Sequence, residues 1–563
     1  MSDFKKYVPV KPIAIENRQW PARTIEKAPT WTSVDLRDGN QSLPIPMNPE
    51  KKLRYFRMLC EIGFKEIEVG FPSASQDDFD FVRTLIENDL IPDDVCISVL
   101  TQARKHLIDR TVESLKGAKQ AIIHCYVASS DLHGRFVFNM DRAKVLEMAI
   151  SGTQMVKDAI AEAKLDFPVR YEFSPEEFTD SDLDFTVELC KKVKECWGEV
   201  KEKKDFILNL PATVERRPPN HYADMIEYFI QKYPYMDQTS VSLHAHNDQG
   251  CAIAATEMAL LAGADRVEGT LFGHGERTGN LDIMVLAMNL YSRGIDTGLD
   301  FSNLEQIVKI VENCSGIDVH PRHPYAGQLV FTAFSGSHQD AIRKGMDRRK
   351  EIASYFEQGW KMPYLHIDPA DVGREYEKLI RINSQSGKGG IVFVLEKDFG
   401  IYPPKSMHAE IGKVIQHYMD EKGGEIDSQE LYDVFFKNFV NTEGNYAYAD
   451  YSRNILKNSG DLIGVSFTWV NNGVSRQLQG VGNGPISAVV NALKTDADLF
   501  EFSLEDFSER SMGNDADAKA IAFVGIRIAE SGKLVYGVGV HSNIDRAAIA
   551  ALISALNRAE MRG

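Results

Sequence analysis

His244 and His246 stand two residues apart in the stretch HAHNDQG, directly after the alternating run SVSL. In a strand, residues i and i+2 project from one face, so both imidazoles reach the same side of the chain, as two ligands of one ion must. An isolated His-x-His also reads as a buried hydrogen-bonding histidine beside a polar strand end, so the ends of the neighbouring apolar runs have to decide. Those ends carry Arg37 and Asp38 in DLRDGNQ, Glu172 in YEFSPE, Asn209 and Thr213 in NLPATVE, and Asn280 in GHGERTGN. An aspartate with two histidines suits a divalent ion that accepts mixed oxygen and nitrogen ligands, such as Mg²⁺, Mn²⁺, Zn²⁺ or Fe²⁺. Arg37 has two readings beside that carboxylate: it stabilises negative charge developing on a reacting oxygen, or it is a structural partner of Asp38 or Glu172.

Convergence of these residues requires elements that bring several strand ends together. From about residue 31 to 280 the runs WTSVDL, KEIEVGF, VCISVL, AIIHCYV, PVRYEF, FILNLP, SVSLHAH and RVEGTLF alternate with segments of helical period such as PEKKLRYFRMLCEIG. That alternation predicts an α/β fold, a (β/α)₈ TIM barrel with its active site at the C-terminal strand ends. An arm over 1–30 precedes a barrel over 31–305, and helical subdomains over 306–432 are expected to complete the site. From 433 the chain turns β-rich, and two segments, 465–494 and 520–557, repeat the order strand, hairpin turn, strand, GVG, helix. They predict a pseudo-symmetric α+β domain over 433–563.

The 563 residues carry a formal charge of −17, which argues against nucleic acid or an anionic membrane as the main partner. The seven cysteines are dispersed without C-x-x-C spacing, as reduced thiols of a cytoplasmic protein would be. No run approaches the roughly 18 consecutive apolar residues of a membrane span.

LRDGNQ, HAHNDQG and GERTGN, in this order and on these runs, resemble the signature of the 2-oxo acid/acetyl-CoA Claisen-condensing synthases, a metal-dependent TIM-barrel family. The resemblance continues through NLPATVE, FSGSHQDAI, MPYLHIDPADVGR and INSQSGKGG into the C-terminal repeat, and so covers nearly the whole chain. It implies that Asp38, His244 and His246 hold a divalent metal, Mg²⁺ in the first place with Mn²⁺ or Zn²⁺ as alternatives. Asn280 is then a further ligand or a residue just behind the ligands. It implies acetyl-CoA as co-substrate and 3-methyl-2-oxobutanoate as acceptor, with Leu100, His124, Asn209 and Thr213 around the acceptor. Glu172 and His338 correspond to an acid–base dyad assisted by Tyr364, and Arg37 stabilises the enolate and alkoxide. The repeat resembles a leucine-binding feedback domain, with Gly482, Asn483 and Gly484 offering close-approach glycines and a helix N-terminus for a carboxylate. A homodimer is implied. Sister enzymes taking 2-oxoglutarate or pyruvate stay open. A non-haem Fe(II) oxygenase shares the ligand set but leaves Arg37 and the Glu–His dyad unexplained. An amino-acid-responsive binding protein would have no use for intact ligand positions. His320 and His323 are expected to bind backbone or shape a loop.

Overall fold

All eight apolar runs form strands that close on one another in sequence order: β1 (Thr30–Ser33), β2 (Glu66–Gly70), β3 (Cys96–Gln102), β4 (Ala121–Ala128), β5 (Val169–Glu176), β6 (Phe206–Ala212), β7 (Ser240–Ala245) and β8 (Arg266–Gly269). Each pair is parallel, and β1 pairs with β8 to complete the barrel. The protein is described here by a computed structural model over residues 6–332, 336–357, 359–374, 382–383, 388–422, 425–455, 462–512 and 518–561.

Between the strands run α1 (Pro49–Ile62), α2 (Gln76–Glu87), α3 (Lys105–Ser114), α4 (Arg142–Ala163), α5 (Leu183–Trp197), α6 (Pro219–Lys232) and α7 (Ala252–Leu261). After β8 come α8 (Ile283–Tyr291) and α9 (Leu304–Ser315). Local chemistry starts them where they start: Asn48, Ser75, Asp141, Asp182 and Asp282 each accept a backbone N–H from the first turn of the helix they precede. His323 and His320 do shape a loop: His323 Nε2 lies 2.7 Å from Asp282 Oδ2, and His320 Nδ1 accepts the Arg322 N–H at 3.1 Å.

The barrel interior departs from the usual branched apolar layers. Glu66, Glu68, His124, Glu172, Asn209, Ser242, Arg266 and Glu268 are all buried there. Arg266 sits among the carboxylates, with Nε 2.7 Å from Glu66, Nη1 2.8 Å from both Glu172 and Glu268, and Nη2 3.1 Å from Glu172.

The chain divides into two units, Met1–Val330 with Ile367–Arg374, and Phe331–His366 with Glu375–Gly563. The second contains α10 (Gly336–Asp347), α11 (Arg349–Phe356), β9 (Ile382–Asn383), α12 (Lys388–Phe399), α13 (His408–Lys422), β10 (Glu425–Ile426) and α14 (Ser428–Phe439). Two three-stranded antiparallel sheets follow: β11 (Tyr446–Ile455), β12 (Ile463–Asn471) and β13 (Val474–Gly482) lead into α15 (Pro485–Leu493), and β14 (Phe502–Met512), β15 (Lys519–Ile528) and β16 (Leu534–His541) lead into α16 (Ile544–Glu560). The repeat is therefore strand-strand-strand-helix, one strand longer per copy than its sequence suggests. The packing also crosses the expected boundary at 433: Leu395, Ile411, Met419 and Phe435 of α12–α14 share a core with Ile521, Phe523, Tyr536 and Val538 of β15 and β16. The SGKGG stretch, part of the resemblance, lies partly outside the described residues.

The GVG glycines serve helix packing. A Cβ on Gly480 or Gly482 would stand 2.2 Å from Ala488 O or 2.5 Å from Ala488 N of α15, and one on Gly537 or Gly539 would stand 2.2 Å from Ala555 N or 2.0 Å from Ala547 O of α16. Of the three expected regulatory residues, Gly482 is buried in that contact, Asn483 is exposed, and Gly484 is the residue before α15 with no atom within 4 Å of an added Cβ.

Candidate active site

At the C-terminal end of the barrel, β1 runs into a π-turn, Asp35–Gly39, that turns Arg37 and Asp38 toward the ends of β7 and β8. Ligand atoms of Asp38, His244 and His246 lie within 4.8 Å of one another, all buried. His244 Nδ1 is 2.9 Å from Glu268 Oε2, which leaves Nε2 facing Asp38 Oδ2 at 3.6 Å, too long for a hydrogen bond but suited to an ion between them. Asn280 donates from Nδ2 to Asp38 Oδ1 at 3.0 Å. Its Oδ1 and the Nδ1 of His246 are buried without a hydrogen-bond partner. Buried orphan acceptors of this kind require a ligand or water, and two of them flanking an Asp–His–His cluster fit a divalent cation.

The charges agree with that fit. Burial works against the Asp38 carboxylate, but Arg37 and the histidines hold it well below the usual carboxylate range. Burial and the neighbouring His244 push His246 down to about 4, leaving a neutral ring with a free lone pair. At His244 burial is outweighed by Asp38 and Glu268, which raise it to about 9, so an ion must displace a proton there. The second buried acidic-histidine group, His124, Glu172 and Glu268, has its cation already, because the Arg266 guanidinium contacts both glutamates.

Arg37 donates from Nη1 to Asp38 at 2.7 Å and from Nε to Glu68. It lines a cavity of about 270 Å³ together with, among others, Asp38, Leu100, His124, Asn209, Thr213, His244 and His246, which brings together eight of the positions singled out in the sequence. His124 is held by Glu68 Oε2 at 2.8 Å and Ser174 Oγ at 2.7 Å. Thr213 Oγ1 accepts the Glu177 N–H at 2.9 Å.

Glu172 does not reach this cavity. Both of its oxygens are on Arg266 in the barrel interior, where burial holds its carboxyl well above the ordinary range. The glutamate of β5 that lines the cavity is Glu176, and burial raises its carboxyl too, opposed by His133 and Arg37 and reinforced by Glu177. Strand parity already carried this signal, since residues 172, 174 and 176 share a face and the last is nearest the mouth. His338 and Tyr364 belong to the second unit, where both are exposed and their rings stack at 3.9 Å between centroids.

Comparison with known proteins places the whole chain. Residues 28–311 match the HMGL-like family model, residues 328–396 the model described as alpha-isopropylmalate synthase, post-catalytic domain-like, and residues 425–560 that of the LeuA allosteric (dimerisation) domain. The chain is 48% identical to a 2-isopropylmalate synthase of Rhodospirillum rubrum over 98% of both chains. It is 48% identical to one of Clostridium acetobutylicum over 99% of this chain and 100% of that one. A third, from Schizosaccharomyces pombe, is 46% identical over 99% of this chain and 96% of the relative. An Asp–His–His cluster at the mouth of a closed barrel, carried by a chain alike over its entire length, makes this protein a member of the 2-isopropylmalate synthase family.

Proposed function

We propose that the protein condenses acetyl-CoA with 3-methyl-2-oxobutanoate and water to give (2S)-2-isopropylmalate and CoA, as a cytoplasmic homodimer inhibited by leucine. The observation that carries the reading is the buried Asp38–His244–His246 cluster with the orphan acceptors of His246 and Asn280 at the edge of the cavity. A divalent cation held there supplies Lewis acidity toward the keto carbonyl of the acceptor. Arg37 offers the positive charge for an oxygen that becomes negative as the new C–C bond forms. Glu176, with its carboxyl raised by burial, is placed to exchange a proton with the acetyl methyl group. His338, stacked on Tyr364, is assigned the partner role in that exchange. Water then cleaves the thioester.

The choice of acceptor rests on the cations around the cavity. Arg37 is engaged by Glu68 and Asp38, and Arg277 by Asp248, with Nε at 2.7 Å and Nη2 at 3.0 Å. Both already sit against carboxylates, which disfavours a further carboxylate such as the distal one of 2-oxoglutarate, whereas Leu100, Phe71 and Pro211 suit a branched apolar chain. All seven cysteines are free thiols, and no described helix is long and apolar enough to cross a membrane. The test is thiol release from acetyl-CoA with a panel of 2-oxo acids. Release is expected only with a divalent ion and fastest with 3-methyl-2-oxobutanoate; faster release with 2-oxoglutarate or pyruvate rejects the acceptor, and activity undiminished by a chelator rejects the metal.

A further inference from the structure

Beneath the cavity the polar side chains close into a ring. Arg37 joins Asp38 to Glu68, and Glu68 Oε2 meets His124 Nδ1. His124 Nε2 meets Ser174 Oγ, and Asn209 Nδ2 donates to Ser174 Oγ at 3.0 Å and to Glu268 Oε2 at 3.1 Å. Glu268 Oε2 also accepts from His244 Nδ1, whose far nitrogen returns to Asp38. The Asn209 amide has one workable orientation here, because turning it over would set its oxygen against the Glu268 carboxylate. Glu268 is the member that fixes the metal-facing atom, because the proton it holds on Nδ1 leaves the Nε2 lone pair of His244 for an ion. Arg266 in turn fixes Glu268 through Oε1 at 2.8 Å, and is itself pinned by Glu66, Glu172 and the Ser242 hydroxyl.

We propose that Glu268, clamped by Arg266, is a positioning residue that sets the His244 tautomer and thereby the affinity of the Asp38–His244–His246 cluster for a divalent cation. The inference rests on the functional reading above. Glu268→Gln tests it by chemistry rather than size. Arg266 must face the amide oxygen, so the amide NH₂ is turned toward His244 Nδ1 and Asn209, and the imidazole is driven to carry its proton on Nε2, where the ion would bind.

The experiment is Mn²⁺ titration of the full-length protein, followed by electron paramagnetic resonance at several pH values so that the proton displaced from His244 is separated from the tautomer effect. Melting temperature is recorded alongside. Glu268→Gln is expected to weaken Mn²⁺ binding by about 10- to 100-fold, the range seen when the partner behind a histidine ligand is lost. Glu66→Gln breaks an ion pair to the same Arg266 without touching His244, and should lower the melting temperature while keeping the parent affinity. If Glu268→Gln does not fold, Glu268→Asp, which keeps the charge for Arg266 but draws back from Nδ1, should show the same loss of affinity. Parent-like Mn²⁺ affinity in the folded Glu268 variant, or an equal loss in Glu66→Gln, overturns the inference. A parent protein that binds no Mn²⁺ overturns the functional reading on which it stands.

Discussion

Glu172 and Glu176 lie on one face of one strand, roughly 13 Å apart at about 3.3 Å of rise per residue, and that separation gives the same side chain two chemistries. Glu172 is a hydrogen-bond partner of Arg266 in the interior, while Glu176 meets the cavity. Glu176→Gln is therefore expected to lower kcat by on the order of 10²-fold with Mn²⁺ affinity retained. Glu172→Gln should mainly cost stability; the reverse ranking of kcat would return the acid–base role to Glu172. Asp35 makes a second residue-scale prediction. Burial raises its carboxyl from 3.8 to about 7 despite hydrogen bonds from Ser33, Tyr55 and the Leu271 N–H, and Asp282 adds to the shift. The folded state thus favours the protonated form, so this group's contribution to stability is complete below pH 3.8 and is lost as pH rises through about 7. At most about 4 kcal/mol is involved, at 1.36 kcal/mol per pH unit. Asn in its place can donate to Ser33 Oγ and accept from Tyr55 and Leu271. Asp35→Asn should gain on the parent in melting temperature as pH is raised from 5 to 8, and a constant difference across that range would refute the assignment.

At the scale of elements, paired glycines let each helix of the C-terminal repeat lie against its sheet. Gly539→Ala would force a methyl group to 2.0 Å from Ala547 O, so α16 must shift; overpacking of this kind costs about 1–3 kcal/mol. Differential scanning calorimetry should show a lowered transition for Gly539→Ala and little change for Gly532→Ala beyond the strain of its left-handed turn. The legibility of the sequence followed burial pattern. All eight barrel strands were readable because short runs carrying β-branched or apolar residues alternate with segments of helical period, even where, as in EIEVG and RVEG, charged residues interrupt the run. The edge strands β11 and β14 were not, because YAYADYSRNI and FSLEDFSERSM are largely exposed and their charged and small residues mask the alternation. At the site, Asp38, His244 and His246 were legible through spacing and motif. The partners Glu68, Ser174 and Glu268 were not, since a lone polar residue inside an apolar run gives no sign of which neighbour it will meet across the barrel.

Over the whole molecule, regulation by leucine requires that its binding favour one of two states that differ in activity, with a coupling of roughly 1–3 kcal/mol, or about 5- to 150-fold in apparent affinity. Removing everything beyond residue 430 is a poor test, because α12 and α13 would lose the partners of Leu395, Ile411 and Met419 in β15 and β16. Gly482→Trp is no better, since Gly482 already touches the backbone of α15. Gly484 is the position that separates binding from folding. It precedes α15 in an extended conformation, has open space around an added Cβ, and stands at the helix N-terminus proposed to receive the leucine carboxylate. Aspartate is a favoured residue before a helix, so Gly484→Asp should keep the fold while setting a negative charge against the ligand's own. The full-length variant is expected to show parent-like kcat and melting temperature, with leucine inhibition shifted to at least about tenfold higher concentration, within the span of ordinary coupling. Because coupling is reciprocal, leucine should also weaken 2-oxo acid binding to the parent by the same factor as the acid weakens leucine. Leucine that is strictly competitive with the 2-oxo acid, or a Gly484→Asp protein as sensitive as the parent, would remove the regulatory site from the start of α15.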